Sequence, residues 1–385
     1  MPSNRQRDEL LRALVRQWAG TGPVRSWSPP DADLVWPALA EHRVEATLGA
    51  VLPASLRDQA RQAAIAAGRA RMACLLLELE RILPAVRAAG DEPLILKGAG
   101  LALVAYTDPH ERWSVDLDLL VAPEHVDAAC ANLEAAGYRP FRGRADWSYY
   151  DRHHLHRILV GPAGAVVELH WALTLPSSAY HYEAQGLRDR AREAPLGRET
   201  CRVAAPADQV VHALYQHIAD GFVDLRRVLD LILLARTMTP ADWDQVHALI
   251  REGRLERAYE LWLHVMKSIA GVDLPPVPDP HRPLGPVAWR LLGTLDVATG
   301  CLNRRTARVP AYDQFLHLVL LPSVSLRLRD LGRLAVSSRI YRKGGAHTEA
   351  WPTSLLTKAR LGFWNMRQLT RVTLAALGVI SLDSS

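Results

Sequence analysis

The feature that most limits this chain is Val115-Asp116-Leu117-Asp118-Leu119-Leu120-Val121, two acids set one residue apart in an otherwise apolar run. Side chains on a strand alternate faces, so Asp116 and Asp118 point one way while Val115, Leu117 and Leu119 point the other. Same-face neighbours lie about 6.5–7 Å apart along a strand. Two carboxylates at that spacing can converge on one or two hard divalent cations. Burying both without a cation would be costly. Taken alone, the pattern also describes the solvent face of an edge strand.

The flanking sequence narrows this choice. A short apolar run, Leu94-Ile95-Leu96, precedes Lys97-Gly98-Ala99-Gly100 and a helix-like Leu101–Tyr106. A polar loop with Asp108, His110, Glu111 and Arg112 then leads into the acidic strand. Strand, small-residue turn, helix and Asp-x-Asp strand form a layout that resembles the DNA polymerase β nucleotidyltransferase superfamily. A third carboxylate comes from Val166-Val167-Glu168-Leu169-His170-Trp171. More narrowly, Leu96-Lys97-Gly98, Arg112, Asp116–Val121 and Glu168–Trp171 resemble an uncharacterised nucleotidyltransferase family, members of which often accompany bacterial peptide natural-product and polysaccharide pathways. The likeness covers about the middle third of the chain, with a weaker helical part, Pro206 to Asp230, after it.

The resemblance implies an α+β fold with a polymerase-β-like nucleotidyltransferase core, a mixed sheet with helices. An N-terminal helical segment and a C-terminal mostly helical domain flank it. It also implies that Asp116, Asp118 and Glu168 are catalytic and hold Mg²⁺ (or Mn²⁺). NTP would be the substrate, met by Lys97, Gly98, Arg112 and His170. The reaction would move an NMP to a hydroxyl or similar acceptor: a peptide, a saccharide or a small molecule. Two departures stand out. The usual Gly-Gly or Gly-Ser is Gly98-Ala99 here, so the turn has no Ser hydroxyl, and Lys97 or Arg112 is left for the phosphates. The spacing from Gly98 to Asp116 is also long.

Composition sets wider bounds. At 385 residues the chain has room for two domains, and its 23% charged and 49% hydrophobic residues are an ordinary globular balance. A net charge of +5 permits a polyanionic partner without demanding one, and nucleic acid is not favoured. Cys74, Cys130, Cys201 and Cys301 are widely separated and read as thiols in a reducing compartment. The amphipathic, acid-containing N-terminus is unlike a signal peptide, and no apolar run approaches the roughly 20 residues of a membrane span. These features lead us to expect a cytoplasmic protein.

In chain order we expect an N-terminal helical segment over 1–90 that leans on the core, a catalytic core over 91–200, and a helical domain over 201–385. Helical patterns cover 7–20, 33–48 (capped by Asp31 or Asp33) and Pro53 to Ala89. Gly161-Pro162-Ala163-Gly164 is a hairpin turn. A four-residue loop would oppose Arg157 to Glu168 and put Arg157, Glu168 and His170 on one face. His153, His154 and His156 read as structural or substrate-contacting more than as a zinc site. Residues 176–196, with Tyr180, His181 and Tyr182, read as an irregular loop over the site. Arg226–Asp230 reads as an i,i+4 ion pair, with Asp230 no metal ligand. Six prolines in Leu274–Pro286 mark a linker or an irregular crossing segment. The basic residues beyond 287 (Arg304, Arg305, Arg308, Arg327, Arg329, Arg333, Arg339, Arg342, Lys343) read as a solvated helical face. Trp351, Phe363 and Trp364 beside Lys358 and Arg360 offer a weaker membrane-surface alternative. Two rival functions are a binding protein on a degenerate transferase scaffold, taking RNA or an acidic peptide through the basic tail, and a metal-dependent phosphohydrolase using the histidines.

Overall fold

The computed structural model describes residues 4–141, 147, 151, 154–175, 178–303, 311–335 and 355–377, except for the side chains of 332–335 and 355–364. His153, Arg304, Arg305, Arg308, Arg339, Arg342, Lys343 and Trp351 lie outside the described residues, as do the side chains of Arg333, Lys358, Arg360, Phe363 and Trp364. The chain forms two compact units, one of Gln17–Ala213 with Leu229–Gly253, the other of Met1–Arg16, Leu214–Val228 and Arg254–Ser385.

The first unit holds a mixed sheet. Its described strands are β1 (Leu94–Ile95), β2 (Asp116–Leu120), β3 (Arg139–Pro140), β4 (His156–Val160), β5 (Val166–His170), β6 (Arg192–Leu196) and β7 (Glu199–Val203). Their order across the sheet is β3-β4-β5-β2-β1-β7-β6. β2 is therefore an interior strand, parallel to β5 and antiparallel to β1, and the solvent-edge reading of Asp-x-Asp falls away.

One face of the sheet is sealed by helices. Helix Gln59–Arg87 carries Met72, Leu75, Leu76, Leu79, Ile82, Leu83 and Val86 at helical spacing, all buried. These pack with Leu117, Leu119, Val121, Leu159, Val167 and Leu169 of the sheet, and with Ala129, Cys130 and Leu133 of helix Val126–Ala135. Each of the Leu, Ile, Val and Met side chains contributes about 1.5–3 kcal/mol by leaving water. This helix leans on the core as the sequence suggests. Residues 4–16 instead pack in the other unit, where Arg16 donates to Ser268 O at 2.8 Å and Arg12 to Thr299 Oγ1 at 2.6 Å. The next helix, Pro29–His42, begins earlier than expected because Ser28, not Asp31 or Asp33, is its N-cap, and Pro29 fits its first turn.

The β4–β5 hairpin corrects the expected register. Val160 pairs with Val166, Ile158 with Glu168 and His156 with His170. Gly161 N–H donates to Ala165 O at 2.8 Å, and Gly164 takes a φ of +79°, so the turn uses one more residue than a four-residue loop. A single-residue slip reverses every face. Arg157 thus points away from Glu168, donates to Asp127 and Asp151, and sits 4.4 Å over the Trp147 ring. Residues 178–196 also differ from the expected loop. They contain helix Ala184–Asp189 and β6, and Tyr180 and Tyr182 are buried, with the Tyr182 hydroxyl donating to Asp208.

The second unit is helical in its described residues, with Tyr259, Trp262, Tyr312 and Phe222 fully buried. The proline-rich stretch is a crossing segment strapped to helix Glu256–Ala270. Glu256 accepts from His281 N–H, Glu260 accepts from Leu284 N–H, and Tyr259 donates to Pro275 O. Among the described residues no helix is long and apolar enough to cross a membrane.

Candidate active site

The face of the sheet opposite the helices carries the acids. Parallel pairing of β2 with β5 sets Asp118 directly opposite Glu168. Asp116 shares that face two residues earlier, and His170 two residues beyond Glu168. The antiparallel β4 adds His156 opposite His170, with the two rings 4.8 Å apart edge to face. Asp118 and His170 are almost fully buried.

Lys97 supplies the cation that the buried acids require. It follows β1, whose pairing with β2 continues as Leu96 N–H donates to Asp118 O at 2.9 Å. Lys97 opens helix Lys97–Ala105 with a φ of +47°, a left-handed conformation uncommon outside glycine, asparagine and aspartate. Its Nζ donates to Asp118 Oδ1 and lies 3.3 Å from Glu168 Oε2 and 3.4 Å from His170 Nε2. His170 Nε2 is itself 2.9 Å from Asp118 Oδ1 and 3.2 Å from Glu168 Oε2.

The glycines after Lys97 have packing reasons. A Cβ on Gly98 would meet Ser114 Oγ at 2.5 Å, and one on Gly100 would meet Ile95 O at 2.6 Å. Ser114 was not legible as a site neighbour in the sequence. Its hydroxyl lies 3.2 Å from the carbonyl oxygen and 3.3 Å from Oδ1 of Asp116, so it positions that carboxylate.

Arg112 is not among the converging groups. It is buried, and it donates through Nε and Nη2 to the two oxygens of Asp230 at 2.6 and 2.8 Å. The Tyr106 hydroxyl donates to the same carboxylate at 2.8 Å. The expected Arg226–Asp230 pair is thereby corrected, since Arg226 donates to its neighbour Asp224. A spacing rule for one helix cannot reveal a partner on a distant loop, and a bidentate arginine–carboxylate pair is the stronger geometry.

Electrostatics follow from this crowding. Burial, then Asp118 and Glu168, push the Asp116 carboxyl up to about 6 against the pull of Lys97 and Ser114. Burial opposes the charge on Lys97, but Asp118 and Glu168 outweigh it and hold the ammonium above its ordinary range. Burial also works against ionised Glu168, and His170, Lys97 and His156 overcome it, holding that carboxyl well below the usual range. Burial brings His156 down to about 4. Three carboxylates facing one ammonium leave negative charge over, and the raised Asp116 is its sign. Hard oxygen donors with excess negative charge fit Mg²⁺ or Mn²⁺.

The sequence profile of a family described as Uncharacterised nucleotidyltransferase matches residues 31–271, more than half of the chain. No curated protein matches. The matched span includes every site residue named above and the whole of the sheet.

Proposed function

Because this chain belongs to the uncharacterised nucleotidyltransferase family, we propose that it moves an NMP from an NTP to a hydroxyl or similar acceptor in a divalent-metal-dependent reaction. The observation that carries this reading is the in-register pairing of Asp118 with Glu168, with Asp116 on the same face. Asp116, Asp118 and Glu168 are the residues that would hold Mg²⁺ or Mn²⁺, which when bound supplies charge stabilisation at the triphosphate and an activated acceptor oxygen.

The chain's own groups have separate tasks in this reading. Glu168 stays ionised, as a metal ligand must be. His170 touches both Asp118 and Glu168 and orients them. Lys97 pairs with the same carboxylates and is the cation that would meet the triphosphate. The start of helix Lys97–Ala105 favours phosphate through its backbone N–H groups. Gly98 keeps that start close to Ser114 and hence to Asp116. Arg112 fixes the loop before β2 through Asp230 instead of clamping phosphate. The acceptor belongs to the class of peptides, saccharides or small molecules of a bacterial biosynthetic or modification pathway. A reducing, cytoplasmic setting suits the four cysteines, none of which is in a disulfide.

One observation favours a second reading, a binding protein on a degenerate scaffold: Lys97 already pairs with two of the three acids without a metal. Calorimetric binding of each of the four NTPs with Mg²⁺, together with pyrophosphate release over a fraction of small acceptors, separates the two. Metal-dependent NTP binding lost in Asp116→Asn/Asp118→Asn supports the transferase. Binding indifferent to the aspartates, or no NTP binding, sinks it in favour of the scaffold.

A further inference from the structure

The geometry points to a binding site for a nitrogen-ligated first-row transition metal, of the Zn²⁺ or Co²⁺ class, formed by His156, Glu168 and His170. One ligand atom from each lies within 4.8 Å of the others. Glu168 Oε2 is 3.2 Å from His170 Nε2 and 3.9 Å from His156 Nδ1. Donors about 2.0–2.2 Å from a tetrahedral metal stand roughly 3.3–3.5 Å apart, so modest side-chain movement closes this set.

Chemistry separates this site from the Asp116–Asp118 pair. Two imidazoles and one carboxylate suit Zn²⁺ and Co²⁺, whereas Mg²⁺ prefers oxygen alone. Three protein ligands also leave a position open for a further group. The scaffold is rigid: His156 and His170 are directly opposed on β4 and β5, and Glu168 precedes His170 by two residues on the same strand face. That opposition follows from the five-residue turn, because a four-residue loop would have sent His156 to the other face.

Lys97 Nζ, 3.3 Å from Glu168 Oε2 and 3.4 Å from His170 Nε2, is the counter-ion that an entering metal would displace. The site shares Glu168 with the nucleotidyl-transfer reading but does not depend on it, since it needs no nucleotide. Failure of NTP binding therefore leaves this inference standing, and the converse also holds.

The test is titration of the full chain with Co²⁺ in the absence of nucleotide, followed by visible d–d absorption and calorimetry. We expect one equivalent to bind. The affinity should fall by more than about 100-fold in His156→Gln and in His170→Gln, beyond the about 10–100-fold that loss of an outer-shell partner costs, and by less than about tenfold in Asp116→Asn, whose carboxylate is held by Ser114. Removing the competing ammonium in Lys97→Met should tighten binding. His156→Cys should keep binding and add a thiolate-to-cobalt charge-transfer band, which a merely structural histidine would not produce. Absence of a Co²⁺ spectrum in the wild type, or one unchanged in both His→Gln variants, or no charge-transfer band in a folded His156→Cys, overturns the site.

Discussion

Asp118 and Glu168 stand opposite each other on adjacent parallel strands, and Lys97 bridges them. The ammonium, its two carboxylates and His170 form one largely buried polar cluster at the sheet. Such a cluster is costly if any member loses its partner.

Lys97→Met should therefore destabilise the metal-free protein at pH 7 by about 2–4 kcal/mol, because it leaves Asp118 buried without a cation. Urea unfolding would measure this. Added Mg²⁺ should recover more stability in the variant than in the wild type. Equal recovery in both would mean that Lys97 is not the counter-ion.

Asp116 works in the opposite direction. Its folded pKa of about 6 lies above the unfolded value of about 3.9. The folded state thus binds the extra proton, and the stability this gives is complete below about pH 3.9 and lost as the pH rises through about 6. Asp116→Asn should make the metal-free protein about 1–3 kcal/mol more stable above pH 6, with the gain shrinking toward pH 4. Thermal unfolding across that range checks the sign.

The Arg112–Asp230 pair should respond as a unit. Arg112→Met alone leaves Asp230 as an uncompensated buried charge and should cost about 3–5 kcal/mol. Arg112→Met with Asp230→Leu should cost much less than the sum of the singles. A double-mutant cycle by denaturant unfolding gives the coupling, and simple additivity would refute it.

Gly98→Ala should cost about 1–3 kcal/mol, since its Cβ would sit 2.5 Å from Ser114 Oγ and 2.9 Å from Ser114 Cβ. Ser114→Gly in the same chain should restore most of that loss, whereas Ser114→Ala should restore less. Stability of the wild type and these three variants tests this ordering.

His217 provides a pH probe in the helical unit. It is fully buried, stacks on Phe222 with centroids 5.2 Å apart, and neither ring nitrogen has a hydrogen-bond partner among the described residues. Burial first, then Arg227, brings its pKa down to about 3. The unfolded state then binds more protons between about pH 6.5 and pH 3, so stability falls on acidification through that window, by at most about 1.4 kcal/mol per pH unit. His217→Phe should remove that component of the slope in acid titrations of stability.

Much of the site was legible because its signals are local. Asp116 and Asp118 share a face by strand alternation, and Glu168 and His170 do so for the same reason. The small-residue turn at Gly98 followed from a short strand giving way to a helix. The family resemblance supplied the order of the pieces, and the profile match over 31–271 agrees with it. The hairpin departs from the sequence expectation by one residue because Gly164 in a left-handed conformation lengthens the turn, and composition does not count turn residues. That single residue exchanged Arg157 for Ile158 opposite Glu168 and brought His156 opposite His170.

The sequence by itself determined which residues carry charge, which faces alternate and that the acids, if buried, need a cation. Tertiary structure alone decided which cation and which neighbours. Lys97 reaches Asp118 only because β1 pairs with β2, and Asp118 meets Glu168 only because β2 runs parallel to β5. Arg112 leaves the cluster because helix Leu225–Thr237 presents Asp230 to it. Alternation along a strand is fixed by backbone geometry within a few residues, whereas strand pairing and long-range ion pairs depend on how distant segments pack.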